Sequence, residues 1–203
     1  MTYQAINSRT IVLASQAPWR SAILDQLGIK HLQQNHRYQE PPYRSGALDQ
    51  FIESIAVEKA RSLVDLYPHA LIIAADQLVC IDQTILYKSG DRDTAIKQLS
   101  LLNGKEHQLI CGLAVWNDGD FKSASETATL KMRQLENEEI SFYVDADQPW
   151  DCAGSYKIES LGASLFESIQ ASDPTTIVGL PAHRLLDICR EWGYTNLKSE
   201  IAS

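Results

Sequence analysis

The stretch TIVLASQAPWRSAILDQLG (residues 10–28) predicts a buried strand that turns directly into a helix. Ile11–Ala14 is a short apolar run, which is typical of a buried parallel strand. Pro18 suits the first helical turn, where its missing N–H costs no hydrogen bond. An apolar stripe follows at helical spacing, and Gly28 is a natural end for the helix. The stretch therefore predicts one strand–helix unit of an α/β fold.

The junction between this strand and this helix is a candidate anion site. Ser15, Gln16 and Ala17 lie at the predicted helix N-terminus, where free N–H groups and the helix dipole favour negative charge. Arg20 in the first turn can add a bidentate contact to the same anion. Trp19 beside it has no evident core to fill, and the ordinary alternative is packing on a neighbouring loop.

Composition limits the classes of function. At 203 residues the chain predicts a single domain over residues 1–203, built as two lobes. Its net charge of −8 argues against a general nucleic-acid or anionic-membrane surface, so a phosphate site must be a local cluster of cations. The four cysteines have no zinc or redox spacing, and no segment has a signal-peptide or membrane-spanning pattern. We expect a cytoplasmic protein with reduced thiols.

Three segments place further polar residues against apolar patterns. Two prolines keep the segment 37–44 extended, so Glu40 lies on a stiff loop after a short strand over 30–35. A helix is predicted over 47–67, with Lys59 inside its inward-facing stripe. The run 71–75 predicts a buried strand that ends at Asp76 and Gln77, the edge at which open α/β sheets bind ligands.

The rest of the chain alternates strands, helices and turns, as expected of a mixed α/β fold. The predicted elements are a hairpin around Asp82 and Gln83, a helix capped by Asp91 or Asp93, two strands over 108–116 and 121–135 around an Asp-Gly turn, a helix over 136–144, a glycine-punctuated loop over 152–162, a strand over 164–169 and a last helix over 182–192.

The residues that stand out at element ends and on apolar faces form a mixed set of carboxylates and cations. They are Ser15, Trp19, Arg20, Glu40, Lys59, Asp76, Gln77, Lys88, Lys157 and Glu159. Carboxylates combined with several cations suit a metal-assisted attack on a polyphosphate, because Mg²⁺ prefers a few carboxylates plus water and phosphate oxygens. The cations can neutralise charge on a leaving pyrophosphate. The ordinary alternatives are a turn residue for Asp76, a solvated carboxylate for Glu40, and surface ion pairs or solvated lysines for the cations.

Six short motifs occur in an order that resembles the Maf family of nucleoside triphosphate pyrophosphatases. They are Ser15, Pro18 and Arg20 after a strand; Glu58, Lys59 and Ala60; Ala75, Asp76 and Gln77; Lys88; Cys152, Ala153, Gly154 and Ser155; and Val178, Gly179, Leu180 and Pro181. Each motif is weak alone, but six in register from about residue 10 to 193 are specific.

The resemblance implies an α/β fold of two lobes, similar to the Maf and ITPase folds, with a central mixed sheet flanked by helices, a deep cleft and a homodimeric assembly. It also implies hydrolysis of a nucleoside triphosphate to its monophosphate and pyrophosphate with Mg²⁺ or Mn²⁺. Asp76 matches the residue proposed as the catalytic base in the family. Glu40 and Asp76 match the carboxylates that bind the metal ion. The positions that meet phosphates are matched by Ser15, Arg20, Lys59 and Lys88.

Three residues are similar to the branch that acts on 7-methyl-GTP, namely Trp19, Gln77 and Glu159. Methylation at N7 makes guanine cationic, and a cation stacks on an indole face for about 1–2 kcal/mol when desolvated. A carboxylate such as Glu159 can accept both N1–H and N2–H of guanine, which pyrimidines do not offer. We therefore expect Gln77 and Glu159 to read the base and Trp19 to stack on it.

Some positions depart from the family pattern. Ala17 lacks a hydroxyl, Ser21 stands where a further arginine is frequent, Tyr87 and Ser89 flank Lys88, and Ser160 replaces a glycine. Two alternatives stay open on sequence alone. One is the same hydrolysis of other nucleotides, such as dTTP, UTP or CTP. The other is a nucleotide-binding regulator of septum formation with little turnover.

Overall fold

The computed structural model describes residues 3–198 of the chain. Its helices are α1 (Pro18–Gln26), α2 (Leu48–Arg61), α3 (Arg92–Leu102), α4 (Asn137–Asp147), α5 (Thr175–Val178) and α6 (Ala182–Glu191), with short 3₁₀ turns at Ile6–Ser8 and Leu161–Leu165. Its strands are β1 (Gln4–Ala5), β2 (Ile11–Leu13), β3 (Leu32–Gln33), β4 (Leu71–Ile81), β5 (Thr84–Leu86), β6 (Glu106–Asn117), β7 (Asp120–Met132), β8 (Phe166–Gln170) and β9 (Tyr194–Thr195).

Most strands join one mixed sheet in the order β3-β2-β4-β6-β7-β8, with β5 paired to β4. The predicted parallel strand β2 pairs in parallel with both β3 and β4, with Val12 opposite Leu32 on one side and Ile72 on the other. The β4–β5 and β7–β8 pairs are antiparallel, and β1 and β9 form a separate parallel pair. The predicted α/β class, with a central mixed sheet flanked by helices, is confirmed.

The described residues fall into two compact units. The first unit contains residues 3–76, Cys111–Glu126 and 179–198, and the second contains Gln77–Ile110 and Thr127–Val178. The boundary between Asp76 and Gln77 lies inside β4, so these two polar neighbours belong to different units. A single domain over residues 1–203 stays a prediction.

In the first unit, α2 buries one face that includes a lysine. Its buried positions follow helical spacing, namely Ile52, Ile55, Ala56, Lys59 and Ala60. Small residues allow a close approach, since a Cβ built on Gly112 would lie 2.5 Å from the carbonyl oxygen of Ile52. Lys59 is therefore carried inward by the same periodicity that buries its apolar neighbours.

Two predicted elements that carry site residues end elsewhere in the structure. The strand predicted over 71–75, with its end at Asp76 and Gln77, runs without a break from Leu71 to Ile81, because the polar pair is accommodated inside the sheet and both flanks are buried. The helix predicted over 47–67 ends at Arg61 and continues as turns, where the Ser62 hydroxyl donates to the Lys59 carbonyl and the N–H of Leu63 bonds the carbonyl of Ala60.

Local stop and start signals were predicted correctly in several places. Asp91, one of the two predicted caps, caps α3 by accepting the N–H of Thr94 at 2.8 Å. The helix predicted from Glu136 begins there, and the structure adds a reciprocal capping box between Glu136 and Glu139. Asp82 turns the β4–β5 hairpin with a positive φ of 47°. Tight turns and caps depend on neighbouring residues alone, which is why the sequence predicts them.

Residues 3–198 contain neither a membrane-spanning helix nor a disulfide. No helix in this range is both long and apolar enough to cross a membrane. Within the same range no disulfide joins the four cysteines, all of which are buried. A cytoplasmic location stays a prediction.

Candidate active site

Lys59 is the centre of a charged cluster in the first unit. The residue is only 4% exposed. Its ammonium nitrogen lies 2.7 Å from Oε1 of Glu40 and 3.1 Å from Oδ2 of Asp76. A buried lysine needs such partners, because an unpaired charge in this environment is costly. The two carboxylates therefore contact the same cation, as their predicted convergence requires.

Arg20 joins the start of α1 to the same cluster. Its Nε donates to the carbonyl oxygen of Gly179 at 2.8 Å, and one terminal nitrogen donates to Oγ of Ser15 at 3.2 Å. The other terminal nitrogen lies 3.9 Å from Oδ1 of Asp76. The carbonyl of Gly179 thus orients the guanidinium. Sequence reasoning included Gly179 in a motif but did not foresee this contact, which depends on tertiary structure.

Ser15 lies at the N-terminus of α1, as predicted. Its Oγ accepts hydrogen bonds from the Ala17 N–H at 3.1 Å and from Arg20, so its own proton is left to donate. Ala17 occupies the N-cap position and has no side-chain cap, and Pro18 follows at the first helical position. The first-turn N–H groups therefore form an anion-favouring end beside a buried guanidinium.

Glu40 is presented by the extended loop, as predicted. Its side chain is 48% exposed, whereas that of Asp76 is 18% exposed. His36 lies 3.9 Å from Glu40, and its Nδ1 contacts the carbonyl of Tyr38 at 3.1 Å. Burial and the charge of Lys59 lower the pKa of His36, although Glu40 opposes the shift. His36 is therefore neutral at neutral pH and adds no charge to the cluster.

The two carboxylates have the donor chemistry of a magnesium or manganese site. Glu40 and Asp76 offer hard oxygen atoms that one cation, the Lys59 ammonium, already shares. Among residues 3–198 no group of three or more His, Cys, Asp or Glu side chains is placed to hold a metal. Mg²⁺ is commonly bound by one or two carboxylates plus water and substrate phosphates. The pair fits that mode and does not fit an all-protein cage.

Trp19 is the second residue of α1 and is partly exposed. It is not sealed in the core, so part of the indole is open to solvent. This placement is what a stacking residue requires, and its role stays a prediction.

The second unit brings together a different set of predicted residues. Lys88 is exposed and forms an isolated antiparallel bridge with Ala153, which joins it to the glycine-punctuated loop. The pKa of the Cys152 thiol is raised to about 11, chiefly by burial and then by Glu159, whereas Lys157 and Lys88 oppose the rise. Glu159, Lys157 and Lys88 are therefore charged neighbours of one buried thiol.

Gln77 begins the second unit with an unsatisfied group. Within the described residues its side-chain Oε1 is buried and has no hydrogen-bond partner. A buried acceptor without a donor costs about 1–3 kcal/mol, which a ligand N–H would relieve. The observation is consistent with the predicted base-reading role.

Lys157 is not the solvated loop lysine that the sequence left open. Its ammonium donates to the carbonyl oxygen of Asp147 at 2.7 Å and contacts that of Gln148 at 3.3 Å. It thus binds the C-terminal end of α4, where a cation is favourable. The sequence signal was the predicted helix end before this loop, but the pairing itself is tertiary.

The structure thus brings together Ser15, Arg20, Glu40, Lys59 and Asp76 in the first unit, and Lys88 and Glu159 around Cys152 in the second. The neighbours of these residues are observed, whereas their chemical roles stay predictions.

Comparison with known proteins identifies relatives along most of the chain. A family profile described as Maf-like protein matches residues 10–192. A 7-methyl-GTP pyrophosphatase of Alcanivorax borkumensis is 38% identical over 174 residues, covering 85% of this chain and 88% of that protein. A protein of the same name from Idiomarina loihiensis is 37% identical over 194 residues, covering 94% and 98% of the two chains.

A solved structure is similar in fold alone. The Ham1 protein of Staphylococcus aureus aligns with a TM-score of 0.51 and 15% identity, covering 91% of this chain and 99% of that one. The profile match and the curated relatives show that the chain belongs to the Maf family.

Proposed function

We propose that this protein hydrolyses 7-methyl-GTP to 7-methyl-GMP and pyrophosphate with a divalent metal ion. The observation that carries the proposal is the cluster in which Lys59 contacts Glu40 and Asp76, while Arg20 links Asp76 to Ser15. The names of the relatives support the substrate, since the Alcanivorax and Idiomarina proteins are both 7-methyl-GTP pyrophosphatases.

The cations and the α1 N-terminus bind the triphosphate in this proposal. Arg20 is held by the Gly179 carbonyl, so its terminal nitrogens can meet phosphate oxygens with little loss of side-chain freedom. Ser15 retains a hydroxyl proton for the same anion. Lys59 and Lys88 supply further positive charge, which stabilises charge that develops on the leaving pyrophosphate.

Asp76 accepts a proton from the attacking water. The water oxygen forms a bond to phosphorus, the anhydride bond between the α- and β-phosphates breaks, and pyrophosphate leaves. The Lys59 ammonium lies 3.1 Å from one carboxylate oxygen of Asp76 and an Arg20 nitrogen lies 3.9 Å from the other, and these two contacts orient the carboxylate. Glu40 and Asp76 would hold Mg²⁺ or Mn²⁺, which when bound neutralises phosphate charge.

Three residues select the base. Trp19 stacks on the cationic N7-methylguanine, Glu159 accepts N1–H and N2–H, and Gln77 supplies its unsatisfied Oε1 as a further acceptor. The stacking contribution of about 1–2 kcal/mol corresponds to roughly tenfold selectivity over an uncharged base.

The test is pyrophosphate release from a panel of nucleotides with Mg²⁺ and with Mn²⁺. We expect 7-methyl-GTP to be hydrolysed with the highest kcat/KM. Faster release from dTTP, UTP or CTP would assign the broader pyrophosphatase activity instead. Nucleotide-dependent thermal stabilisation without any release would favour a binding regulator.

Two variants test the assigned roles. Asp76→Asn should keep nucleotide binding and lose most turnover, and unchanged turnover would exclude Asp76 as the base. Trp19→Arg should reduce kcat/KM for 7-methyl-GTP more than for GTP, whereas equal losses would contradict stacking. The homodimer that the family resemblance implies is tested separately by light scattering.

A further inference from the structure

The segment that carries Glu159 is fastened to the end of α4 on both sides of that residue. On one side, the Lys157 ammonium donates to the Asp147 carbonyl at 2.7 Å and lies 3.3 Å from the Gln148 carbonyl. On the other side, the Ser160 hydroxyl donates to Oδ2 of Asp147 at 2.6 Å. Glu159 itself is exposed. An exposed carboxylate is thus held between two anchors on one helix terminus.

The backbone of the segment is anchored as well. The Lys157 N–H donates to the hydroxyl oxygen of Tyr143 at 2.9 Å, and Tyr143 is only 3% exposed. The Ser160 N–H bonds the Lys157 carbonyl at 3.3 Å, which closes a turn around Glu159. A Cβ at Gly162 would overlap the Lys157 backbone, so the chain leaves this turn along a tightly packed path.

The C-terminal end of α4, which binds Lys157 and Ser160, is itself held in place. Asp145 in α4 accepts a bidentate contact from Arg92, at 2.6 and 2.8 Å, which ties α4 to α3. The C-terminal carbonyls of α4 have no partner within the helix, so a lysine there satisfies backbone groups as well as the helix dipole. The contacts of Lys157 and Ser160 therefore fix the turn around Glu159 relative to α4.

We propose that Lys157 and Ser160 are positioning residues that set the direction of the Glu159 carboxylate and thereby its selectivity for guanine. The inference rests on the proposed function, in which Glu159 accepts N1–H and N2–H of the base. Two parallel hydrogen bonds need a carboxylate held within narrow limits of distance and angle. A carboxylate on a loose turn would sample other directions, so the protein would bind guanine nucleotides less tightly. Its affinity for nucleotides that do not contact Glu159 would stay the same.

The experiment compares kcat and KM for 7-methyl-GTP and for UTP, which lacks the guanine donor pair. Loss of a charge-assisted hydrogen bond costs about tenfold or more, so Glu159→Gln should lower kcat/KM for 7-methyl-GTP by at least about tenfold. Lys157→Met should give a loss of roughly the same size, through KM, and Ser160→Ala a loss of about threefold. UTP hydrolysis should change by less than about twofold in each.

Lys131→Met is the matched control. Lys131 also lies in the second unit and also donates to a backbone carbonyl, that of Gly104 at 2.9 Å, but in a different turn. Lys131→Met should leave kcat/KM for both 7-methyl-GTP and UTP unchanged. Ser160→Ala keeps the charge of the loop, so it separates positioning from a general electrostatic effect of Lys157. Lys157→Arg keeps donors for the two carbonyls and should recover most of the selectivity.

Combining Lys157→Met with Glu159→Gln decides whether Lys157 acts through Glu159. We expect less than about a twofold further loss in the double variant, because the carboxylate to be positioned is already gone. Equal losses on both substrates, or a full additional loss in the double variant, would overturn the inference.

Thermal melting completes the test, since a Tm equal to that of Lys131→Met shows that Lys157→Met remains folded. If Lys157→Met does not fold, Ser160→Ala carries the same comparison. If Glu159→Gln itself leaves selectivity unchanged, the proposed function of Glu159 fails, and positioning fails with it. If Glu159→Gln loses selectivity and the anchor variants do not, only positioning is refuted.

Discussion

Replacing Lys59 by methionine removes the cation that Glu40 and Asp76 share while keeping most of the length of the side chain. Breaking a buried ion pair typically costs about 3–5 kcal/mol, because one charge is left uncompensated. Here the Glu40 carboxylate is 48% exposed, so water replaces much of its contact, and Asp76 keeps Arg20 at 3.9 Å. We therefore expect the free energy of unfolding to fall by about 2 kcal/mol.

Urea unfolding at neutral pH measures this loss, with the m-value unchanged if both proteins unfold in two states. Lys97→Met is the control, because Lys97 is an exposed residue of α3. An exposed substitution of this kind should change the free energy of unfolding by less than about 0.5 kcal/mol. Equal stability of the two variants would refute the inference that Lys59 compensates the charges of Glu40 and Asp76.

The same variant also tests the metal site. Without the ammonium, Glu40 and Asp76 lose the cation that both of them contact, so a divalent cation should bind them more tightly than in the parent protein. Since a ligand of the native state raises stability as its concentration exceeds its dissociation constant, Mg²⁺ should raise the unfolding midpoint more in Lys59→Met than in the parent. Midpoints that do not depend on Mg²⁺ in either protein would exclude a metal site at these carboxylates.

Two further predictions concern stability. Burial lowers the pKa of His107 from 6.5 to about 4, so between these values the unfolded chain takes up a proton that the folded chain does not. The free energy of unfolding should therefore fall by up to about 3 kcal/mol as the pH decreases from 6.5 to 4. His107→Phe can still pack on Tyr156 and Phe166 but has no imidazole to protonate. When unfolding of the two proteins is measured as a function of pH, the variant should lack this fall. Gly112→Ala would place a Cβ 2.5 Å from the Ile52 carbonyl oxygen. We therefore expect urea unfolding to show a loss of about 1–3 kcal/mol in the free energy of unfolding. A variant as stable as the parent would contradict the close approach of α2 to β6.

The candidate site could be predicted in part because its residues sit in local patterns. The helical stripe of α2 places Lys59 inward, and a lysine in such a stripe requires a partner. The sequence does not say which carboxylate that partner is, since Glu40 and Asp76 come from a loop and a strand elsewhere in the chain. Their grouping with Lys59 was a hypothesis from the mixed set of carboxylates and cations and from the family resemblance, and in the structure both carboxylates contact the Lys59 ammonium.

Other contacts lay beyond sequence reasoning for the same reason. Polar residues that interrupt an apolar run predict a strand end at Asp76 and Gln77, yet β4 continues through them, since Lys59 compensates the charge of Asp76 inside the sheet. A helix end is predicted before the loop of Lys157, but residue types do not identify the partners of this lysine, because the acceptors are backbone carbonyls that any residue at the end of α4 would offer.

The sequence by itself determined the features that depend on near neighbours: the strand-to-helix turn at Pro18, the Asp91 cap of α3, the capping box of α4 and the tight turn at Asp82. The energies of these features arise within a few residues. Tertiary structure decided which charges are paired and which strand continues, because desolvation and Coulomb energies depend on groups that only folding brings within a few ångströms.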